Sequence, residues 1–128
     1  MKKYSLIPII ILALIIGFLI SINYNLSDFT EEGSANYSFV FEGGNQNRIM
    51  KDNELIVDSG AVDFKYNDNY VAFSVDTTYS NKPQEISKSN LKYYLYDIKK
   101  DILNKEINIY EFRNLIKEKS LEDIDITK

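Results

Sequence analysis

The side chains able to do chemistry in this chain are carboxylates and tyrosines. Among its 128 residues there is no cysteine and no histidine. That removes thiol nucleophiles, disulfides, the imidazole base of hydrolytic triads and zinc sites of the usual kind. Asp63, Asp68, Asp76, Asp97 and Asp101 fall near expected strand ends and turns. Two carboxylates facing each other across a cleft could cleave a glycosidic bond. Regularly spaced Asp and Asn closed by a Glu could hold calcium. Asn67-Asp68-Asn69 has neither the extent nor the terminal ligand of such a loop. Turn and solvation roles suffice for all five aspartates, so no catalytic residue, no metal ligand and no cofactor is expected.

Tyr93, Tyr94 and Tyr96 could form a stacking or peptide-binding surface, because exposed aromatic patches mark interfaces. Aromatic residues in strands more often serve as core or as cross-strand pairs. Tyr94 and Tyr96 are kept as the binding candidates. Gly43-Gly44 could suggest a phosphate loop, but that needs a longer glycine pattern opening a helix, and the pair reads as a turn. Asn25-Leu26-Ser27 and Asn36-Tyr37-Ser38 match the glycosylation sequon, which matters only in a eukaryotic secretory route.

Charge narrows the partners. All nineteen acidic residues follow residue 22, whereas Lys2 and Lys3 precede it. Of fifteen basic residues, thirteen therefore remain in the C-terminal part, for a net −6. An acidic domain is not built to hold nucleic acid and gains nothing from an anionic lipid surface.

The elements that must position these residues begin with Leu6–Ile22, an apolar run without a charge. As a helix it spans about 25 Å, close to the hydrocarbon core of a bilayer. A buried core helix should carry a polar face, and this run is apolar all round. A cleaved signal peptide should end in small residues at a cut site, and Ser21-Ile22-Asn23-Tyr24 lacks them. A lipoprotein needs a cysteine. The expectation is an uncleaved signal anchor over residues 1–23, with a cleaved signal as the alternative. Lys2 and Lys3 on one flank, against none over residues 23–37, keep the N-terminus in the cytoplasm and export the rest.

Residues 24–35 are polar and read as a spacer. Residues 36–128 read as an extracytoplasmic α+β domain, a small antiparallel sheet with one C-terminal helix packed on it. Tyr37, Phe39 and Phe41 alternate as a strand, and 48–50 and 54–58 are short strand candidates about Lys51-Asp52-Asn53. Val62, Phe64 and Tyr66 face Val71, Phe73 and Val75 only if the turn is the two-residue Asp68-Asn69, with Tyr66 opposite Val71, Phe64 opposite Phe73 and Val62 opposite Val75. Asp and Asn tolerate the left-handed backbone such a turn uses. Residues 77–90 read as an exposed loop. Leu91–Asp97 is a strand with Leu91, Tyr93 and Leu95 on one face, and Ile102-Leu103 adds a short edge. Asn108-Ile109-Tyr110-Glu111 is a capping box, after which Ile109, Phe112, Leu115 and Ile116 fall at helical spacing. Residues 120–128 fit either a frayed tail or a last strand.

On Tyr37–Gly44, Val62–Phe73, Tyr94–Asp97 and Phe112, the chain resembles small exported β-rich proteins of Gram-positive bacteria, anchored by a helix or a lipid. The resemblance covers most of residues 36–120. It implies a fold and no activity, and the missing lipidation cysteine departs from the lipid-anchored members. The functional expectation is a non-enzymatic, membrane-tethered binding module. The alternative is an immunity or inhibitor protein acting on a toxin or hydrolase at the membrane. An enzyme working with carboxylates and tyrosines alone ranks last.

Overall fold

The computed structural model describes residues 6–26 and 29–128, without the side chains of 20–26. Helix α1 covers Leu6–Leu26. Pro8 sits in its first turn, where the absent N–H costs no helical bond. The large apolar side chains described in α1, from Leu6 to Leu19, are 49–69% exposed. Those side chains cover about 21 Å of helix, against a hydrocarbon core of about 30 Å. Among the described residues no helix is long and apolar enough to cross a membrane. The charges that set the expected orientation, Lys2 and Lys3, lie outside the described residues, as does Ser27 of the first sequon.

The rest is α+β, with two antiparallel sheets where the sequence suggested one. Strands β1 (Phe29–Glu32), β2 (Tyr37–Phe41), β3 (Arg48–Lys51) and β4 (Glu54–Val57) form the first sheet in chain order. Strands β5 (Ala61–Tyr66), β6 (Tyr70–Val75), β7 (Lys92–Asp97) and β8 (Ile102–Ile107) form the second. Part of the stretch read as a spacer is therefore strand. Phe29–Glu32 pairs with β2, Phe29 against Phe41 and Glu32 against Ser38. Its Phe-Thr-Glu-Glu sequence hides this because all four residues are exposed on an edge.

The sheets face each other across Tyr37, Phe39, Ile49 and Val57 on one side and Phe64, Val71, Phe73, Val75 and Tyr96 on the other. The opposite face of the second sheet carries Ala72, Tyr93 and Leu95 against helix α2 (Ile109–Glu118) through Ile109, Phe112 and Ile116. Covered on both faces, β6 is buried from Val71 through Val75, which is why it reads as an almost unbroken apolar run.

Two glycines let these layers meet. A Cβ on Gly33 would stand 2.7 Å from the Phe64 ring, so the β1–β2 turn can rest on the second sheet only without a side chain. Gly60 has φ +83°, and a Cβ there would meet the Asp76 carbonyl at 2.5 Å. Asn47, 1% exposed, joins the sheets through its amide. Its oxygen accepts from the N–H groups of Glu42 and Gly43, and its nitrogen donates to the Ala61 carbonyl.

The hairpin register holds near the turn, with Tyr66 opposite Val71 and Phe64 opposite Phe73. It departs further out: a bulge puts Ala61, not Val62, opposite Val75. Val62 then packs toward α2, while Ala61 joins the core between the sheets. The turn itself also differs from expectation. Asp68 and Asn69 are not left-handed; instead the Asn67 side chain accepts from the N–H groups of Asn69 and Tyr70. Left-handed geometry belongs to Asp52-Asn53 between β3 and β4, at φ 51° and 64°, as primed hairpin turns require.

The helix start follows the sequence. Asn108 accepts from the Glu111 N–H at 2.9 Å and donates its amide to the Glu111 carboxylate at 3.0 Å, a cap worth about 1 kcal/mol. The edge strand β8 runs six residues rather than the two expected. The last residues are neither frayed nor strand. They form a 3-10 turn at Glu122–Ile124, and Leu121, Ile124 and Ile126 complete the core under α2. The loop at 77–90 is largely exposed but organised. The Asp76 carboxylate accepts from Thr78 and Ser80, and Pro83 is buried.

Candidate functional site

The structure does not bring the five aspartates together. Asp76 ties down its loop, and Asp97 accepts from the Lys100 N–H in the β7–β8 turn. Asp63 accepts from the Ser74 hydroxyl and from Lys88, which also reaches the Ile126 carbonyl at 2.7 Å. That set pins the loop and the C-terminal segment to the second sheet. Asp68 is exposed at its turn. Tyr93 lies on the helix side, stacked on Phe112 and donating to the Lys88 carbonyl.

The binding candidates Tyr94 and Tyr96 are not an open stacking surface. Tyr94 is half-buried and lies nearly flat on Phe73, with ring centroids 4.7 Å apart. Tyr96 is 6% exposed and packs on Tyr37 at 5.1 Å. The physical reason is the first sheet. It covers the face that an isolated sheet would leave open, and nothing within 91–97 announces it.

Among the described residues, a titratable cluster built on Tyr96 bridges the two sheets. Lys51, at the end of β3, donates to the Tyr96 hydroxyl at 2.9 Å and stands 4.3 Å above the Tyr96 ring centroid. The Tyr96 hydroxyl donates to Asp101, whose carboxylate lies 3.6 Å from the Lys51 ammonium. Tyr37 lies beneath, with Lys51 5.5 Å from its ring centroid. The hydrogen bond to Tyr96, then the nearby charges, raise Lys51 above its ordinary range. The bond from Tyr96, then Lys51, holds Asp101 below the usual carboxylate range. Burial pushes the Tyr37 phenol up to about 12.

Chemically, this arrangement binds its own proton. The phenol donates to a carboxylate and accepts from an ammonium, so the Tyr96 hydroxyl is fully engaged within the cluster. It works as a brace between the sheets. Lys51→Met is expected to cost about 1 kcal/mol through the lost cation–ring and hydrogen-bond contacts, read as a melting point lower by a few degrees. An unchanged melting point would show that the brace contributes nothing to stability.

Sequence reading missed this cluster. Lys51 looked like a turn flank, and its partners lie 45 and 50 residues away in the chain. Beside it, at the turns of the first sheet, is a cavity of about 440 Å³ lined by Glu32, Asn36, Ser38 and Asp52, among others. Asn36 and Asp52 are bonded across it at 2.7 Å. Among the described residues no group of three or more carboxylates is placed to share a metal ion.

Fold and site thus define a small three-layer β/β/α domain with an internal brace and a helix of exposed apolar side chains ahead of it. Comparison with protein-family models, curated proteins and solved structures finds no match for this chain.

Proposed function

We propose that this chain is a membrane-tethered protein whose β/β/α domain stands outside the cytoplasm as a non-enzymatic binding module. One observation carries the tether. The described large apolar residues of α1 are all about half exposed or more, with no polar side to turn toward water. Left in water, such a surface associates; lipid covers it at no cost. The uncharged sequence runs on through Ile22, seventeen residues from Leu6, the short end of what spans a bilayer as a helix. Lys2 and Lys3 set the direction. The lack of cysteine and histidine supports a binding role over catalysis. The same plan fits the exported Gram-positive proteins that the sequence resembles.

Cell fractionation tests it. The full chain should stay with membranes through alkaline carbonate, and protease added to intact cells should remove the domain. Release by carbonate would sink the tether, and full protection of the domain would sink the orientation.

A second reading rests on the turns farthest from α1, where Asp52, Asp68 and Asp101 are exposed. An acidic end suits a basic partner, as an inhibitor or immunity protein of a toxin or hydrolase would need. Capture of a basic hydrolase whose activity the chain blocks would favour it.

A further inference from the structure

We infer that the end of the sandwich next to α1 rests on the lipid headgroups, held there by Phe29, Phe41 and Tyr79. This rests on the membrane-tether reading.

The chain allows little distance. Helix α1 ends at Leu26 and β1 starts at Phe29, three Cα steps that span at most about 11 Å. With the four helical residues after Ile22, about 6 Å more, the first strand of the sandwich starts within about 17 Å of the end of the apolar run. Strand directions then fix which end is near. β1 begins there, and the connections at 42–47, 58–60 and 76–91 lie at the same end. Gly60 donates to the Asn45 carbonyl at 2.8 Å, and Gln84 donates to the Gly44 carbonyl at 3.3 Å. The turns at 33–36, 52–53, 67–69 and 98–101 lie at the far end.

Exposed aromatic residues gather at the near end. Phe29 is 65% exposed and sits directly opposite Phe41, itself 46% exposed. Tyr79, 86% exposed, is on the loop that touches the 43–44 turn. Tyr110, 71% exposed, follows the near end of β8. Among the described sandwich residues, Tyr66 is the one exposed aromatic at the far end. Tyrosine rings settle at the headgroup level, and exposed phenylalanine rings bury at the boundary between headgroups and acyl chains.

Charge points the same way. Segments 32–36, 51–54, 67–69, 97–101 and 119–123 at the far end carry a net −4, whereas 42–48, 58–60, 76–92 and 107–111 at the near end carry a net −1. An anionic surface repels the far end and leaves the near end free to approach. Lys82 beside Tyr79 can reach the phosphates.

The chain has no tryptophan, so one introduced residue reports alone. Full-length Phe41→Trp, Tyr79→Trp, Tyr66→Trp and Phe18→Trp chains would be reconstituted in vesicles of equal parts phosphatidylcholine and phosphatidylglycerol, with bromine on the acyl chains near the headgroups. Phe41→Trp and Tyr79→Trp should each be quenched at least ~2-fold more than Tyr66→Trp, and Phe18→Trp should be quenched as an anchor position. Quenching of Phe18→Trp with Phe41→Trp and Tyr79→Trp no higher than Tyr66→Trp overturns the docking and leaves the tether standing. No quenching of Phe18→Trp overturns the tether, and the docking falls with it.

Discussion

Phe73→Ala is expected to remove about 3–5 kcal/mol of folding stability, a large share of the roughly 5–15 kcal/mol that holds a domain of this size together. Phe73 is fully buried in the middle strand pair of the second sheet. Its ring meets Tyr37 of the first sheet at 6.0 Å and lies on Tyr94 of its own. Alanine keeps the strand but removes the ring that fills the space between sheets, and two stiff sheets cannot close fully over the void. Urea melts of the chain in non-ionic detergent should show the midpoint fall with the slope kept. Phe73→Leu should cost markedly less, because most of the volume returns. If Phe73→Ala lies within about 1 kcal/mol of the parent, the ring is not between the sheets and the sandwich is wrong.

Alkaline pH should unfold the domain with comparable force. Burial pushes the phenols of Tyr37 and Tyr93 from 10.0 to about 12, with the charge of Asp63 adding to Tyr93. Both are neutral when protonated, so a raised folded pKa means that folding favours the protonated form. That stabilisation is complete below pH 10 and is lost as pH rises from 10 toward 12. For each phenol this contribution is on the order of 2–3 kcal/mol. Lys51 works in the same direction: its raised folded value contributes below 10.5 and is lost above it. The β-sheet signal should collapse between pH 10 and 12, in step with phenolate absorbance. Tyr37→Phe removes one titrating group and should flatten the loss while changing little at neutral pH. Tyr93→Phe should flatten it too, but lose about 1 kcal/mol at pH 7, because its hydroxyl bonds the Lys88 carbonyl at 2.7 Å. Sheet structure that survives pH 12 unchanged would show that these rings are not buried as described.

Local patterns were legible wherever one stretch of chain contains its own partner. The Asn108 cap and the helix after it need only four consecutive residues to declare themselves, and α2 begins where they say. The 64–73 pairing was legible because only one register puts the apolar residues of both strands on one side, and it holds as far as the bulge. The bulge was not legible. Ala61, Val62 and Asp63 carry no glycine or proline mark, and what bends the strand is the need to place Ala61 under the first sheet and Val62 under α2. The Tyr96 brace was illegible for a similar reason. Its three members are an ordinary strand tyrosine and two turn residues until β3 and β7 are set side by side.

What the sequence alone determined is the apolar character of Leu6–Ile22, the absence of thiol and imidazole chemistry, the alternation of the strands and the start of the last helix. All are properties of composition or of spacing within a few residues. The tertiary structure decided that eight strands divide into two sheets and that Phe29–Glu32 joins the first, so the expected spacer is largely used up. It also buried Tyr96 rather than displaying it, and gathered exposed aromatic residues at the end beside α1. These follow from which faces meet, and a strand's own sequence records only that a face is apolar, never what covers it.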